Sequence, residues 1–163
     1  MRHRSEQGLG LLEVLIALLV LSVGLIGATA MRLQAQAAAQ QAEWQQQALL
    51  AAQAITQAMR SNPSAVAQGA YTAEHTDDTV GSTAHHPCHS RACPPTGRAE
   101  HDVLAWRAHL ASQLPDGRGI LQSMGPTQRR IVVMWSSPSP DNATPCPPPW
   151  DRQRSCWVLE VDL

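Results

Sequence analysis

The sequence contains no phenylalanine, no lysine and a single tyrosine, Tyr71. Aromatic residues make up 4% of its 163 residues and charged residues 15%, against about a quarter charged in an ordinary globular protein. With so few large side chains, stability cannot rest on an extensive aromatic core. All twelve basic residues are arginine, and against thirteen acidic residues they leave a formal net charge of -1. That balance excludes a basic nucleic-acid arm or an acidic tail as the main theme. Glycine-rich phosphate loops, dinucleotide fingerprints and the nucleophile elbow of hydrolases are all missing. Little in the sequence therefore points to catalysis, a cofactor or a small-molecule substrate, and a nucleic-acid partner is not expected. A mean hydropathy of -0.21 excludes several membrane spans, but an average conceals segregation.

The segregation lies at the N-terminus. The 23 residues from Leu9 to Met31 carry one charge, Glu13. At about 1.5 Å per residue, a helix of that length covers a hydrocarbon core of about 30 Å. A polar leader, residues 1–8, precedes it with Arg2 and Arg4, which suits a cytoplasmic N-terminus and an exported remainder. Three readings fit such a segment. Ala28-Thr29-Ala30 has the small-x-small pattern of a secretory cleavage site, so release after Ala30 would give a soluble, disulfide-stabilised binding protein. A passive single-span anchor is the second. The third takes Gly8-Leu9-Gly10-Leu11-Leu12-Glu13-Val14 as a processing and assembly motif. Glu13 discriminates among them. A carboxylate inside a span costs about 2.5–3.5 kcal/mol on insertion scales and marks a functional site by default, and neither a signal h-region nor a passive anchor needs one.

These seven residues resemble the prepilin signal of type IV pilins and pseudopilins. The resemblance implies cleavage after Gly8 by a membrane prepilin peptidase, N-methylation of Leu9, and an assembly role for Glu13. The family usually has Phe after the cut and Ser or Thr next, where this chain has Leu9 and Gly10. The spacing from Gly8 to Glu13 is kept. The physical logic is legible from the residues as well. Cleavage frees an α-amino group at Leu9, one helical turn from Glu13. An unpaired ammonium and an unpaired carboxylate are both expensive away from water. The carboxylate of one subunit can neutralise the ammonium of a neighbour and so select the axial register. The plainer alternative places Glu13 at headgroup level, merely solvated. Gly24 and Gly27 interrupt the span; they either soften it or reflect the frequency of glycine in membrane helices.

The helical pattern continues past Met31. Residues 32–60 are mostly Ala, Gln, Leu and Met, with no Gly or Pro before Pro63. Leu33, Ala37, Trp44, Ala48, Ala51, Ile55 and Met59 trace one narrow apolar face, and Gln34, Gln41, Gln45 and Gln53 fall on the opposite faces. The expectation is one helix over residues 9–60, about 78 Å at 1.5 Å per residue. Its first half is a transmembrane and assembly segment, residues 9–31. Its amphipathic second half, residues 32–60, is the spine of a head, residues 61–163. Ser61-Asn62-Pro63 ends the helix, and residues 64–68 form one further turn. Residues 71–97 read as a long loop with at most one short strand.

Val103, Trp106, Leu110 and Leu114 place a second helix over residues 100–114, with Glu100 and Asp102 near its start. Pro115-Asp116-Gly117 ends it. Strands follow at 120–124, 130–135 and 155–161, and the proline-rich stretch 137–149 is a loop. The fold class is α+β: a long N-terminal helix packed on a small antiparallel sheet.

The chain from Met59 to Tyr71, the Cys88 and Cys93 pair ahead of a helix with Asp102 and Trp106, and Leu114-Pro115-Asp116-Gly117-Arg118-Gly119 ahead of two strands ending at Trp135 are similar to the PilV type of minor pilin, the type IV pilus modification protein. That resemblance implies a pilin-like fold. It also implies a structural, non-catalytic subunit that helps initiate or modify type IV pilus assembly. Its partners would be other minor and major pilins, the prepilin peptidase and an inner-membrane assembly platform. The location implied is the bacterial inner membrane, single-pass with a periplasmic head, and then the cell-surface pilus, whose roles include adhesion and twitching motility. A type II secretion minor pseudopilin shares the N-terminal motif and is the nearest alternative.

Four cysteines lie in the exported part, where disulfides are the default. Of three connectivities, Cys88–Cys93 with Cys146–Cys156 is favoured, because both close short loops in proline-rich, weakly held segments. The rival is a metal site in His85-His86-Pro87-Cys88-His89-Ser90-Arg91-Ala92-Cys93, but the spacing fits no standard zinc pattern. No metal is expected there. His75, His101 and His109 read as solvent-facing or packed residues, Trp157 as strand core and Trp150 as loop cover.

Overall fold

The structure is a computed structural model that describes residues 10–73, 88, 92–137, 146, 148–150 and 152–163. Its elements are helix α1 (Leu11–Ser61), helix α2 (Pro63–Ala67), helix α3 (Pro95–Gln113) and strands β1 (Arg118–Ser123), β2 (Gln128–Ser136) and β3 (Arg154–Asp162). The chain divides into two compact units, Met1–Gln40 and Gln41–Leu163. Helix α1 contributes to both. This is the expected α+β class: a long apolar N-terminal helix and a small antiparallel sheet.

In the first unit, residues 10–40 are all exposed to the surroundings. Residues 11–31 carry three polar side chains, Glu13, Ser22 and Thr29. Two of them are satisfied within the helix. The Ser22 hydroxyl donates to the Leu19 carbonyl and the Thr29 hydroxyl to the Ile26 carbonyl, both at 2.8 Å. Gly24 and Gly27 lie inside α1, which runs through them.

In the second unit the sheet order is β1-β2-β3, antiparallel throughout. β2 is central because it pairs on both sides, Ile120 with Val132 and Leu121 with Ile131 on one, Val133 with Trp157 and Ile131 with Leu159 on the other. Alternation gives the sheet two faces. Leu121, Ile131, Val133 and Trp135 face the helices and join the main core with Ala48, Ala51, Ile55, Met59, Trp106 and Leu110. Ile120, Val132, Met134 and Cys156 form a second cluster on the other face with Cys146, covered by Trp150. β2 is buried on both faces, which explains its unbroken apolar run.

Alanines at 48, 51 and 52 keep α1 slim where it meets the core, so the large side chains come from its partners. Trp106 fills the space. Its indole N–H donates to the Ala51 carbonyl at 3.0 Å, and its ring lies so close to Gly119 that any Cβ there would overlap it. Gly117 is bound as tightly, with the Leu110 carbonyl where its Cβ would stand.

Three expectations need correction. Gln41 does not face away from the head: it is buried, and its side-chain oxygen accepts from the Ser137 hydroxyl at 3.1 Å. Leu33, placed on the packed stripe, is 68% exposed. The second helix starts at Pro95, five residues before Glu100, because a proline is well suited to the first turn. The stretch 71–97, read as a long loop with at most one short strand, contributes among its described residues one bridge, Ala73 to Leu121.

Candidate functional site

The candidate site is the first turns of α1. The helix is initiated by Gly10, whose carbonyl accepts from the Glu13 and Val14 amides at 2.9 and 3.4 Å. Glu13 thus sits in the first turn, where a carboxylate complements the free amides and the helix dipole. No side chain of the described residues pairs with its carboxylate. Gly8 and Leu9 lie outside the described residues.

Around Glu13 the helix is apolar on every side. Leu11 is 89% exposed, Leu12 72% and Ile26 69%, with Leu15, Leu18, Leu19 and Val23 close behind. An apolar side chain left in water forgoes about 1.5–3 kcal/mol. Over such a segment the deficit is on the order of tens of kcal/mol, so water cannot be its working solvent. A helix apolar all round requires lipid or other helices. Among the described residues, this is the one helix long and apolar enough to cross a membrane.

The head carries a polar cluster that sequence reading missed. The Tyr71 hydroxyl donates to the Asp102 carboxylate at 2.7 Å, and the Asn62 side-chain amide donates to the Tyr71 oxygen at 3.3 Å and to the Pro95 carbonyl at 2.8 Å. His101 Nδ1 lies 3.9 Å from Asp102. Burial, and then the hydrogen bond to Asp102, push the Tyr71 phenol up to about 12. These residues tie the end of α1 to the start of α3. Asp102, read as a helix-start carboxylate, is therefore a tether. The cluster is structural: a phenol that stays protonated is a poor acid or base near neutrality.

Arg129 is a second unforeseen residue. It is 1% exposed on the helix side of β2. Its guanidinium donates to the carbonyls of Gly125, Gln128 and Val66 at 2.8–2.9 Å. Burial lowers its pKa. The cation neutralises the carbonyl end of α2 and anchors the β1–β2 turn.

The cysteines are paired as Cys88–Cys93 and Cys146–Cys156. The first bridge lies just ahead of α3; the second fastens the proline-rich loop to β3. His75, His85, His86 and His89 lie outside the described residues. Among the described residues, no three His, Cys, Asp or Glu side chains gather to hold a metal ion. Asp116, at a left-handed φ of 50°, is bonded by Arg154 and Arg118, and the Arg154 guanidinium holds its carboxyl below the usual range.

Residues 3–29 match the family model described as the prokaryotic N-terminal methylation motif, the prepilin signal of type IV pilin-like proteins. The match is confined to the N-terminal part of the chain. Comparison with curated proteins and with solved structures yields no match. The motif and the apolar helix together support a pilin-like or pseudopilin-like subunit that is membrane-anchored and associates with other such subunits.

Proposed function

We propose that the chain is a minor pilin of the PilV type, a structural subunit that enters the type IV pilus and helps to initiate or modify its assembly. The observation that carries this reading is Glu13, with no side-chain partner among the described residues, in the first turn of a helix whose apolar residues 11–31 are exposed, inside a match to the N-terminal methylation motif. The leader, residues 1–8, is removed after Gly8, and Leu9 becomes the methylated N-terminus. Residues 9–31 hold the precursor in the inner membrane, with the head, residues 61–163, in the periplasm. Residues 32–60 join the two. On extraction by the assembly platform, the same apolar surface passes from lipid to neighbouring pilin helices. No new kind of contact is needed, because both environments solvate apolar side chains alike. The Glu13 carboxylate meets the Leu9 ammonium of a neighbour, and a register that leaves either unpaired is penalised.

The mass and N-terminal sequence of the mature protein test this. A chain beginning at methylated Leu9 is the expected result, and one beginning at Met31 overturns it. Glu13→Gln keeps the shape and removes the charge. Processing should persist, while incorporation into sheared pili should fall at least about tenfold, the effect of 1.4 kcal/mol. Unchanged incorporation would remove the charge-pairing argument.

A further inference from the structure

Two charges bracket the apolar stretch of α1. Glu13 stands at its start and Arg32 at its end, nineteen residues apart, with no charged residue between them. At 1.5 Å per residue that separation is about 28 Å along the helix, close to the hydrocarbon thickness of a bilayer, about 30 Å. Residues 10–40 are all exposed, so both charges are free to meet the surroundings. Beyond Arg32 the helix turns polar, with Gln34, Gln36 and Gln40. The segment therefore has one depth in a bilayer at which neither charge enters the hydrocarbon.

Among the described residues, Arg32 has no ion-pair or hydrogen-bond partner for its guanidinium. The residues one turn away, Ala28, Thr29, Ala35 and Gln36, include no acid, and the nearest acidic residue along α1 is Glu43, eleven positions on. Side chains on a helix lean toward its N-terminus, so the Arg32 stem runs back over Ala28 and Thr29. Both are small, and the Thr29 hydroxyl is already used, donating to the Ile26 carbonyl at 2.8 Å. A long basic side chain at the end of a span lays its apolar stem along the lipid and keeps its head at the interface. A guanidinium is less strongly hydrated than an ammonium, and its planar fork matches two oxygens of a phosphate.

We propose that Arg32 binds the phosphodiester of a phospholipid headgroup at the boundary opposite Glu13, and so fixes the depth of the span. Glu13 then stands at the other boundary, within reach of water, and Ser22 lies at the midplane. The inference rests on the reading of residues 9–31 as a membrane span. It is independent of processing after Gly8 and of the kind of pilin.

The test uses the full chain reconstituted in vesicles of dioleoylphosphatidylcholine and recovered by flotation. With arginine carrying carbon-13 at Cζ, dephasing by lipid phosphorus in solid-state magnetic resonance measures guanidinium groups in contact with phosphate. Arg32→Gln should remove one arginine's share of the dephased signal. Arg130→Gln should remove none, because that guanidinium is paired with Glu160 in the head. Depth is read separately. The four cysteines are paired, so Leu15→Cys, Ser22→Cys and Thr29→Cys each supply a single thiol for a nitroxide. Relaxation by oxygen against an aqueous nickel chelate should place Ser22 deepest and the two flanking sites, seven residues to either side, at equal depth. An unchanged signal in Arg32→Gln, an equal loss in Arg130→Gln, or a depth maximum displaced by a helical turn, about 5.4 Å, would overturn the proposal. A chain that fails to float with the vesicles would overturn the membrane span as well, whereas one that floats without the Arg32 contact overturns this inference alone.

Discussion

Helix α1 solves two opposite problems along its length. Residues 11–40 are exposed throughout, although they include the most apolar run in the chain. Residues 41–61 are far less apolar, yet Ala48, Ala51, Ala52, Ile55 and Met59 are almost fully buried. Hydrophobicity alone therefore does not decide what the fold buries. Shape and periodicity do: a stripe of alanines leaves room for Trp106 and the sheet, whereas an all-round leucine surface offers no preferred side. The first stretch is built for an external apolar solvent. The second is built for its own chain.

The strongest way to break this contrast is to destroy the core of the second stretch alone. Trp106→Ala should cost about 3–5 kcal/mol, read as a lower denaturation midpoint of the full chain in micelles by near-ultraviolet circular dichroism. The helical signal of the first stretch should survive; its joint loss would show that the two are one cooperative unit. Replacing Cys146 and Cys156 together by serine should cost about 2–3 kcal/mol in the chain-entropy model, given their separation of ten residues. Here too only the head transition should move.

Tyr71 sharpens the contrast by reporting from the head alone, since it is the only tyrosine. Its absorbance near the phenolate band should titrate at about 12 in the folded protein, against the ordinary 10.0 when unfolded. The folded state favours the protonated phenol, so this stabilisation is complete below the unfolded value and is lost as pH rises toward 12. Tyr71→Phe should remove that alkaline decline and cost about 1–3 kcal/mol at neutral pH, because Asp102 and Asn62 lose a buried partner. An ordinary titration in the folded state would refute the burial argument. The smallest effect belongs to the surface. Arg130 and Glu160 are paired at 2.7 Å across β2 and β3, but Glu160 is well exposed. Glu160→Gln should change stability by less than about 1 kcal/mol, and less still in high salt.

The elements with a clear period were legible in the sequence. Val103, Trp106, Leu110 and Leu114 marked α3, and the run from Arg130 to Trp135 marked β2. Glu13 stands out in the sequence as a lone carboxylate in an apolar span, and the structure puts it in the first turn of α1; its assembly role is part of the proposal. What was hidden depends on chain crossings. Nothing local to Asn62, Tyr71 or Asp102 announces that they meet, since each is separated from the next by a turn or a loop. Arg129 looks like an exposed strand residue beside Arg130 until the carbonyls of Gly125 and Val66 are brought around it. Gln41 resembles its many neighbouring glutamines and differs only in lying opposite Ser137. Gly97 obscured the start of α3, where Pro95 already suits a first turn.

The contact of Trp106 with Gly119 makes two distant positions share a single allotment of volume. The indole is the spacer between strand and helix, and the missing side chain at 119 is the recess that receives it. Neither position can drift alone: a methyl group at 119 dislodges the ring, and a smaller ring at 106 leaves a hollow beneath the strand. Sequences that keep this layer thickness should therefore trade bulk between the two sites in compensating pairs, as a mortise changes only with its tenon.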